Sequence, residues 1–203
     1  MIVGITGSIG SGKSTVSQIL RDAGYLVLNA DEISRQLMEP GQPGYLAVAK
    51  EFPSSLIQQN GLIDRQALAN LIFRHPNEKQ RLEQILHPMV KNELQRQSEG
   101  QKLVFWEVPL LFESGFDHVC DRTLCVVAED KLLIERVMQR SLLTQKQVEE
   151  RLQTQFSQHT KMQLADDTIA NDETLEDLKE AVHHWLAGVL KHEREDDHVV
   201  SRK

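Results

Sequence analysis

The 203-residue chain has few cysteines, no long apolar run and no excess of positive charge. Its two cysteines, Cys120 and Cys125, fit no zinc or redox spacing, and we interpret them as incidental thiols of a buried strand. Its apolar runs are far too short to cross a bilayer. The formal net charge of −7 argues against non-specific binding of nucleic acid. With no secretion signal recognised, we expect a cytoplasmic protein whose partners are small molecules, neither nucleic acid nor membrane.

A glycine-rich segment, residues 7–15, directly follows the first apolar run at residues 2–5. Its sequence, GSIGSGKST, fits the pattern G-x-x-x-x-G-K-[ST] of phosphate-binding P-loops. Glycines let backbone amides form a nest for phosphate oxygens, and the helix that follows directs its positive end at the same anions. The segment therefore predicts a site for ATP, formed by Gly10, Ser11, Gly12, Lys13, Ser14 and Thr15.

Two side chains of this segment have the chemistry to act in phosphoryl transfer. Lys13 would reach the β- and γ-phosphates, and the Ser14 hydroxyl would bind the Mg²⁺ that accompanies ATP. Glu107, at the end of a later apolar run, could support Mg²⁺ through water or simply end its strand. The sequence favours neither role for Glu107, and both stay open at this point.

Strand and helix patterns alternate along the chain, which predicts an α/β P-loop NTPase fold of three layers with a mainly parallel sheet. Helices are predicted from residue 14 to a stop at Gly24, over residues 130–140 and from residue 175 onward. Leu175 opens the apolar face of the last helix, which we expect to be a core contact. Strands are predicted at residues 2–5, 25–28, 104–108, 123–127 and 167–170.

Two segments depart from this alternation. Residues 31–98 carry helical patterns with little strand signal, and Pro88 interrupts one of their apolar faces; we expect a helical subdomain that binds the second substrate. Residues 141–163 are polar and glutamine-rich, which predicts a mobile helical lid. A frayed charged tail is expected at residues 193–203. The nucleotide-binding core is then discontinuous and comprises residues 1–30, 99–140 and 164–192.

The segment Asn29-Ala30-Asp31-Glu32 follows the second predicted strand. The carboxyl ends of parallel strands face the ligand crevice of an α/β sheet. Asp31 would therefore stand near the phosphates and could accept the proton of an attacking hydroxyl. Aspartate is also favoured at a helix N-cap, so position alone leaves both roles open.

The patterns N-K-x-D and D-x-x-G are absent, which counts against a guanine-nucleotide switch. A helical insertion after the second strand and a late arginine-bearing helix favour a plan like that of nucleoside monophosphate kinases. Because fold alone does not settle function, two alternatives are kept. One is a kinase for another small hydroxyl- or phosphate-bearing metabolite. The other is a nucleotide-gated regulatory module.

Five segments, GITGSIGSGKST, NADEISR, GLIDR, HP and VPLLFE, occur in an order that resembles the dephospho-CoA kinase family. The similarity covers nearly all of the chain except the charged tail. It implies ATP-dependent phosphorylation of the ribose 3′-hydroxyl of dephospho-CoA, the last step of CoA synthesis. Asp31 matches the family's catalytic aspartate. Asn29 and Glu107 stand where relatives often have aspartate. The aspartate that matters for catalysis in the family, Asp31, is present.

Arg136 and Arg140 lie one helical turn apart, so both can face the same side of their predicted helix. An arginine there can stabilise the charge that spreads over the transferred phosphoryl oxygens. In related kinases an arginine near Arg140 covers the ATP phosphates, which favours Arg140 as catalytic and Arg136 as an ATP contact. The alternative is surface pairing with Glu129 or Glu135, which would contribute little.

Further candidates concern the acceptor and the adenine base. Arg65 and His87 are candidate contacts for the CoA-like substrate, although a histidine on an apolar helix is often a satisfied interior group. Asn171 follows the last predicted strand, where nucleotide kinases often hold the adenine edge. The wall between the core and the insertion would be shaped by Pro109 and Leu110, which we also expect to contact the acceptor.

Overall fold

The structure, a computed structural model, describes residues 1–141 and 143–200 and, of these, the side chains up to Lys191. The chain divides into two compact units, Met1–Val27 with Gln101–Lys203, and Leu28–Gly100. Within the described part, no helix combines the length and the apolar character that crossing a membrane would need.

A five-stranded sheet with the strand order β2-β3-β1-β4-β5 organises the fold. β1 pairs in parallel with β3 and with β4, and β4 pairs in parallel with β5. The predicted α/β fold with a parallel sheet is confirmed. The strands are β1 (Ile2–Gly7), β2 (Leu26–Asn29), β3 (Val104–Glu107), β4 (Arg122–Val127) and β5 (Asp167–Ala170).

Nine α-helices lie within the described residues: α1 (Lys13–Asp22), α2 (Ala30–Leu37), α3 (Pro43–Glu51), α4 (Arg65–Arg74), α5 (Pro76–Ser98), α6 (Asp130–Arg140), α7 (Gln145–Gln153), α8 (Gln158–Leu164) and α9 (Leu175–Val200). The predicted bounds of α6 and β5 match the structure. Gly24 follows α1 with φ +90°, and its amide bonds to the Arg21 carbonyl, so the predicted helix stop is confirmed.

One face of the sheet is covered by α1 and α9. Ile5 and Leu124 lie opposite each other in the sheet, and both belong to the apolar cluster that these helices complete. Leu178 and Val182 of α9 are buried in that cluster. Leu175 is 52% exposed, so its predicted place in the core is wrong, because it stands at the first residue of α9 and not in the later turns that cross the sheet.

The other face of the sheet carries Gly4, Thr6 and Cys125, since side chains alternate along a strand. It is covered by α8, which packs on β1 and β4, and by the segment that follows β3. A Cβ on Gly4 would lie 3.0 Å from the Leu111 side chain, so that segment fits closely against β1. This face leads directly into the P-loop, because β1 ends at Gly7.

The second unit is helical, as predicted, and holds α2 to α5 around its own core. Leu82 and Leu86 of α5 are buried there together with Val48 of α3. The expected interruption at Pro88 is wrong, because α5 continues through this residue to Ser98. Proline removes one helical hydrogen bond, and the buried residues on both sides, Leu86 and Val90, hold the helix against its neighbours despite that loss.

The carboxyl-terminal helix is longer than predicted. α9 continues to Val200 and so includes part of the tail at 193–203, whose fraying stays a prediction. The residues after position 191 include no glycine or proline, and glutamate, lysine and arginine are good helix formers. Ser201, Arg202 and Lys203 lie outside the described residues.

Candidate active site

The P-loop links β1 to α1 through three glycines with positive φ, Gly7, Gly10 and Gly12. Gly12 is the N-cap of α1 in the left-handed region, with φ 98°. A Cβ on Gly10 would lie 2.7 Å from the Leu133 carbonyl of α6, and one on Gly12 would collide with the Asn171 amide nitrogen. The loop therefore needs glycine both for its turns and for its close packing.

The Lys13 ammonium lies against the P-loop itself. Its Nζ donates to the carbonyls of Gly7 and Ser8, each at 2.9 Å, and the residue is only 9% exposed. The Ser11 hydroxyl of the same loop is buried without a hydrogen-bond partner in the described structure. A buried hydroxyl and a buried ammonium beside a glycine nest match the oxygen-rich surface of a triphosphate.

Ser14 and Glu107 meet, although they are distant in sequence. The Ser14 hydroxyl donates to Glu107 Oε1 at 2.8 Å. Ser14 is exposed, whereas Glu107 is 3% exposed at the end of β3. A hydroxyl and a carboxylate side by side at the start of α1 are the oxygen ligands that Mg²⁺ prefers beside bound phosphates. The two residues predicted as metal ligands are thus in direct contact, and their role at Mg²⁺ stays a prediction.

Asn171 binds the P-loop from the far edge of the site. Its Nδ2 donates to the Ser11 carbonyl at 2.8 Å, and its own amide donates to the Val127 carbonyl at 2.8 Å. Arg136 Nη1 donates to the Asn171 carbonyl, also at 2.8 Å. The adenine contact stays a prediction, and the bonds observed in the structure give Asn171 a part in fixing the P-loop.

Replacing Asn171 with alanine is expected to raise the KM for ATP about twofold to tenfold, because one hydrogen bond contributes roughly 0.5–1.5 kcal/mol. Steady-state kinetics with ATP and with GTP would measure the change. If Asn171 fixes the loop, KM rises by the same factor for both nucleotides. A rise confined to ATP would instead show that Asn171 recognises adenine. The exposed Asn70 of α4 offers a control, since Asn70→Ala should leave both values unchanged.

The two arginines of α6 have different surroundings. Arg136 is partly buried and bonds to the Asn171 carbonyl, whereas Arg140 is exposed in the last turn. Of the two glutamates considered as surface partners, Glu135 pairs with Lys131. To bind a ligand, Arg136 would have to give up its hydrogen bond to the Asn171 carbonyl. Arg140 is exposed and therefore stays the better candidate for binding the phosphates.

In the second unit, Asp31 lies in the first turn of α2 and is exposed. The N-cap of this helix is Asn29, whose side chain accepts a hydrogen bond from the Glu32 amide at 3.0 Å. The alternative role of Asp31 as the N-cap is therefore wrong. Asp31 stays the candidate general base.

The predicted acceptor contacts of this unit lie on α4 and α5. Arg65 pairs with Glu39 at 2.8 Å, and its guanidinium also donates to the Arg35 carbonyl of α2, the helix that carries Asp31. His87 is half-buried in α5, and burial lowers its pKa, which Glu83 opposes. Its lowered pKa favours the neutral imidazole, which would meet a substrate as a hydrogen-bonding group.

Pro109, one of the predicted wall residues, contacts Lys161, which the sequence analysis does not identify as a site residue. The Pro109 carbonyl accepts hydrogen bonds from Thr6 Oγ1 at 3.0 Å and from Lys161 Nζ at 2.8 Å. The Leu110 carbonyl accepts one from the Ser114 amide, which turns the chain after β3. Lys161 is 0% exposed, although it lies in the polar segment from which we predicted a lid. The Gln-rich surroundings gave no signal of this burial.

Comparisons with known proteins agree with one another. Residues 1–177 match the family model described as dephospho-CoA kinase. A dephospho-CoA kinase of Salmonella choleraesuis is 40% identical over 191 residues, which cover 93% of this chain and 93% of that protein.

Solved structures extend the likeness to the fold. A crystal structure of a Thermus thermophilus protein has a TM-score of 0.82 at 37% identity and covers 93% of this chain and 97% of the other. The dephospho-CoA kinase of Campylobacter jejuni has a TM-score of 0.70 at 25% identity, with 94% of this chain and 98% of that one covered. The likeness therefore spans both units of the chain.

Proposed function

Because the chain belongs to the dephospho-CoA kinase family, we propose that it transfers the γ-phosphoryl group of ATP to the ribose 3′-hydroxyl of dephospho-CoA. The products are CoA and ADP. The observation that carries the proposal is the family match over residues 1–177, which includes the P-loop, Asp31 and Glu107. The P-loop geometry supports it independently, since a glycine nest, a buried lysine and a serine–carboxylate pair are the parts that phosphoryl transfer uses.

The proposed step is an in-line displacement at the γ-phosphorus. Asp31 accepts the proton of the 3′-hydroxyl, whose oxygen forms a new bond to phosphorus. The bond from phosphorus to the oxygen that bridges the β- and γ-phosphates breaks, and ADP leaves with that electron pair. Lys13 and Arg140 would stabilise the charge on the transferred oxygens.

Ser14 and Glu107 fit a role in holding Mg²⁺ beside the phosphates. When bound, the ion neutralises part of the phosphate charge and orients the leaving group. Ser14 would contribute its hydroxyl directly, and the buried carboxylate of Glu107 would orient that hydroxyl and the water around the ion. Glu107 would then have both roles, since it ends β3 and also supports Mg²⁺.

Glu107→Gln is expected to raise the Mg²⁺ concentration at half-maximal rate about tenfold, because residues that orient metal ligands typically affect metal affinity by 10–100-fold. Glutamine still accepts the Ser14 hydrogen bond, so only the negative charge is lost. Initial rates titrated with Mg²⁺ at saturating ATP would measure the effect. Glu135→Gln removes an exposed carboxylate of α6 and serves as the control. An unchanged Mg²⁺ requirement in the Glu107 variant would leave this residue only its role in ending β3.

Acceptor choice separates the proposal from its alternatives. ADP release by the purified chain would be measured with dephospho-CoA, with nucleoside monophosphates such as AMP, and with sugar acids. We expect kcat/KM for dephospho-CoA to exceed that for every other acceptor by at least about 100-fold. A preferred acceptor elsewhere in the panel would indicate a different small-molecule kinase. Tight nucleotide binding without transfer to any acceptor would indicate a regulatory module.

A further inference from the structure

Lys161 is a charged residue with no exposed surface, and the reaction described above does not use it. Its Nζ donates to the Pro109 carbonyl at 2.8 Å, pairs with Glu113 Oε1 at 3.1 Å and reaches Gln155 Oε1 at 3.5 Å. The lysine belongs to α8, Pro109 and Glu113 to the segment after β3, and Gln155 to the turn between α7 and α8. One ammonium thus joins three separate parts of the first unit.

Glu113 completes this arrangement from the opposite side. Its Oε1 accepts the Phe156 amide at 2.8 Å in addition to the Lys161 ammonium. Its Oε2 is buried and has no hydrogen-bond partner in the described structure. The carboxylate therefore fixes the turn at residues 155–156 against the segment after β3. We call Lys161, Glu113, the Pro109 carbonyl, Gln155 and the Phe156 amide the Lys161 cluster.

The Lys161 cluster adjoins the strand that becomes the P-loop. The Pro109 carbonyl that Lys161 binds also accepts the Thr6 hydroxyl, one residue before Gly7. Burial raises the pKa of Cys125 to about 11, while Lys161 and Lys13 both act to lower it. Both ammonium groups are therefore electrostatic neighbours of the same thiol, on the sheet face that carries Thr6 and Cys125.

A buried ion pair is an expensive way to stabilise a fold. Desolvation of the two charges offsets much of their attraction, and well-packed apolar residues often serve stability as well or better. What the pair adds here is directional: the ammonium fixes a carbonyl and a turn in defined positions. The carbonyl belongs to Pro109, which precedes Leu110, and both residues are proposed acceptor contacts.

We propose that Lys161, together with Glu113, is a positioning residue for the acceptor site. The pair holds Pro109 and Leu110 in place, and it fixes the turn at residues 155–156, which follows α7. The identity of the acceptor, dephospho-CoA, rests on the proposed function. The role of Lys161 also divides the predicted lid. α8 then belongs to the layer that covers the sheet, and a mobile lid stays a prediction for α7 alone.

The test compares Lys161→Met with the double variant Lys161→Met/Glu113→Gln. Methionine fills a similar volume without charge, and leaves the Glu113 carboxylate buried without its cation, so the single variant should be the less stable. The double variant removes both charges, while the amide oxygen introduced by Glu113→Gln still accepts the Phe156 amide, so its Tm should return close to that of the wild type. It also supplies a folded protein should the single variant fail to fold. The control, Lys179→Met, removes a partly exposed lysine of α9 that pairs with Glu176.

Kinetics of the double variant separate positioning from stability. We expect kcat/KM for dephospho-CoA to fall about tenfold to 100-fold, because small displacements of substrate-positioning groups have effects of this size. The KM for ATP should stay within about twofold, since the P-loop is held by its own contacts. Wild-type kinetics with dephospho-CoA in a folded double variant would overturn the proposal. A loss shared equally by both substrates would overturn it as well.

Hydrogen–deuterium exchange gives a second readout that needs no substrate. We expect faster exchange at residues 110–116 in the double variant, because the Pro109 carbonyl has lost its ammonium partner, with unchanged exchange in α1 and β1. Unchanged exchange at those positions would contradict a positioning role even if activity fell. Should the wild type fail to phosphorylate dephospho-CoA, the proposed function would fail, but this measurement would still decide what the Lys161 cluster does.

Discussion

Asp31→Asn is expected to lower kcat by about 10²–10⁴-fold, the usual contribution of a general base, while ATP affinity changes little. Asparagine has nearly the same shape but cannot take the proton of the 3′-hydroxyl. The fold should tolerate the change, because Asn29 caps α2 and the charge lost from its first turn contributes only about 0.3–1 kcal/mol. Single-turnover rates and calorimetric ATP titrations of the same preparation would measure both quantities.

Glu32→Gln is the matched control for this experiment. Glu32 is the adjacent residue in the same helical turn, is also acidic and is also exposed. If the effect of Asp31→Asn comes from the helix dipole alone, the two variants will behave alike. An unchanged kcat in the Asp31 variant would contradict its assignment as the base.

Lys13→Met is expected to lower kcat/KM for ATP by about 10²–10³-fold, the effect of removing one preorganised group that stabilises transition-state charge. The loss should be larger in kcat than in ATP binding, because charge on the γ-phosphoryl oxygens is redistributed during transfer. The backbone nest of Gly10 and Gly12 remains in the variant and continues to bind phosphate. Steady-state rates and nucleotide titrations would separate the two contributions.

Two comparisons make the Lys13 result specific. Lys131→Met removes a lysine that is 84% exposed on α6 and should leave the rate unchanged. Thermal unfolding of Lys13→Met would show whether the two carbonyls of Gly7 and Ser8 need their ammonium partner for stability. A folded Lys13 variant with the wild-type rate would contradict the assignment of this lysine to the phosphates.

The sheet and the P-loop could be predicted because their signals are local. A strand, a glycine turn and a helix follow one another within the first 22 residues, and each carries its own pattern. The predicted bounds of α6 and β5 likewise match the structure. Pro88 was misjudged because local propensity disfavours proline within a helix, whereas burial of α5 along its length decides the outcome.

The active site was predicted as separate candidates whose contacts only the fold supplies. Ser14 is predicted at Mg²⁺ and Glu107 is a candidate for the same ion, but their hydrogen bond depends on the pairing of β1 with β3. Asn171 was expected at the adenine, and its bond to Ser11 depends on where β5 ends beside the P-loop. Such contacts join residues far apart in sequence, which spacing and composition do not encode.

Lys161 is the clearest case of a buried residue that the sequence does not predict. In the sequence it is one cation in a polar, glutamine-rich segment, where a surface helix is the ordinary expectation. Its burial follows from α8 packing on β1 and β4 and from the carboxylate of Glu113 across the same face. A buried lysine is seldom found without a partner, and the burial of Lys161 is explained by its ion pair with Glu113, which only the fold brings together.

The formation of CoA itself tests the central claim most directly. The purified chain would be incubated with ATP, Mg²⁺ and saturating dephospho-CoA, and the product identified by mass spectrometry with fragmentation that locates the new phosphate. We predict one phosphoryl group added at the ribose 3′-position, in step with ADP release, and a rate reduced by about 10²–10⁴-fold in Asp31→Asn. A folded, ATP-binding protein that forms no CoA, or that places the phosphate elsewhere, would contradict the account.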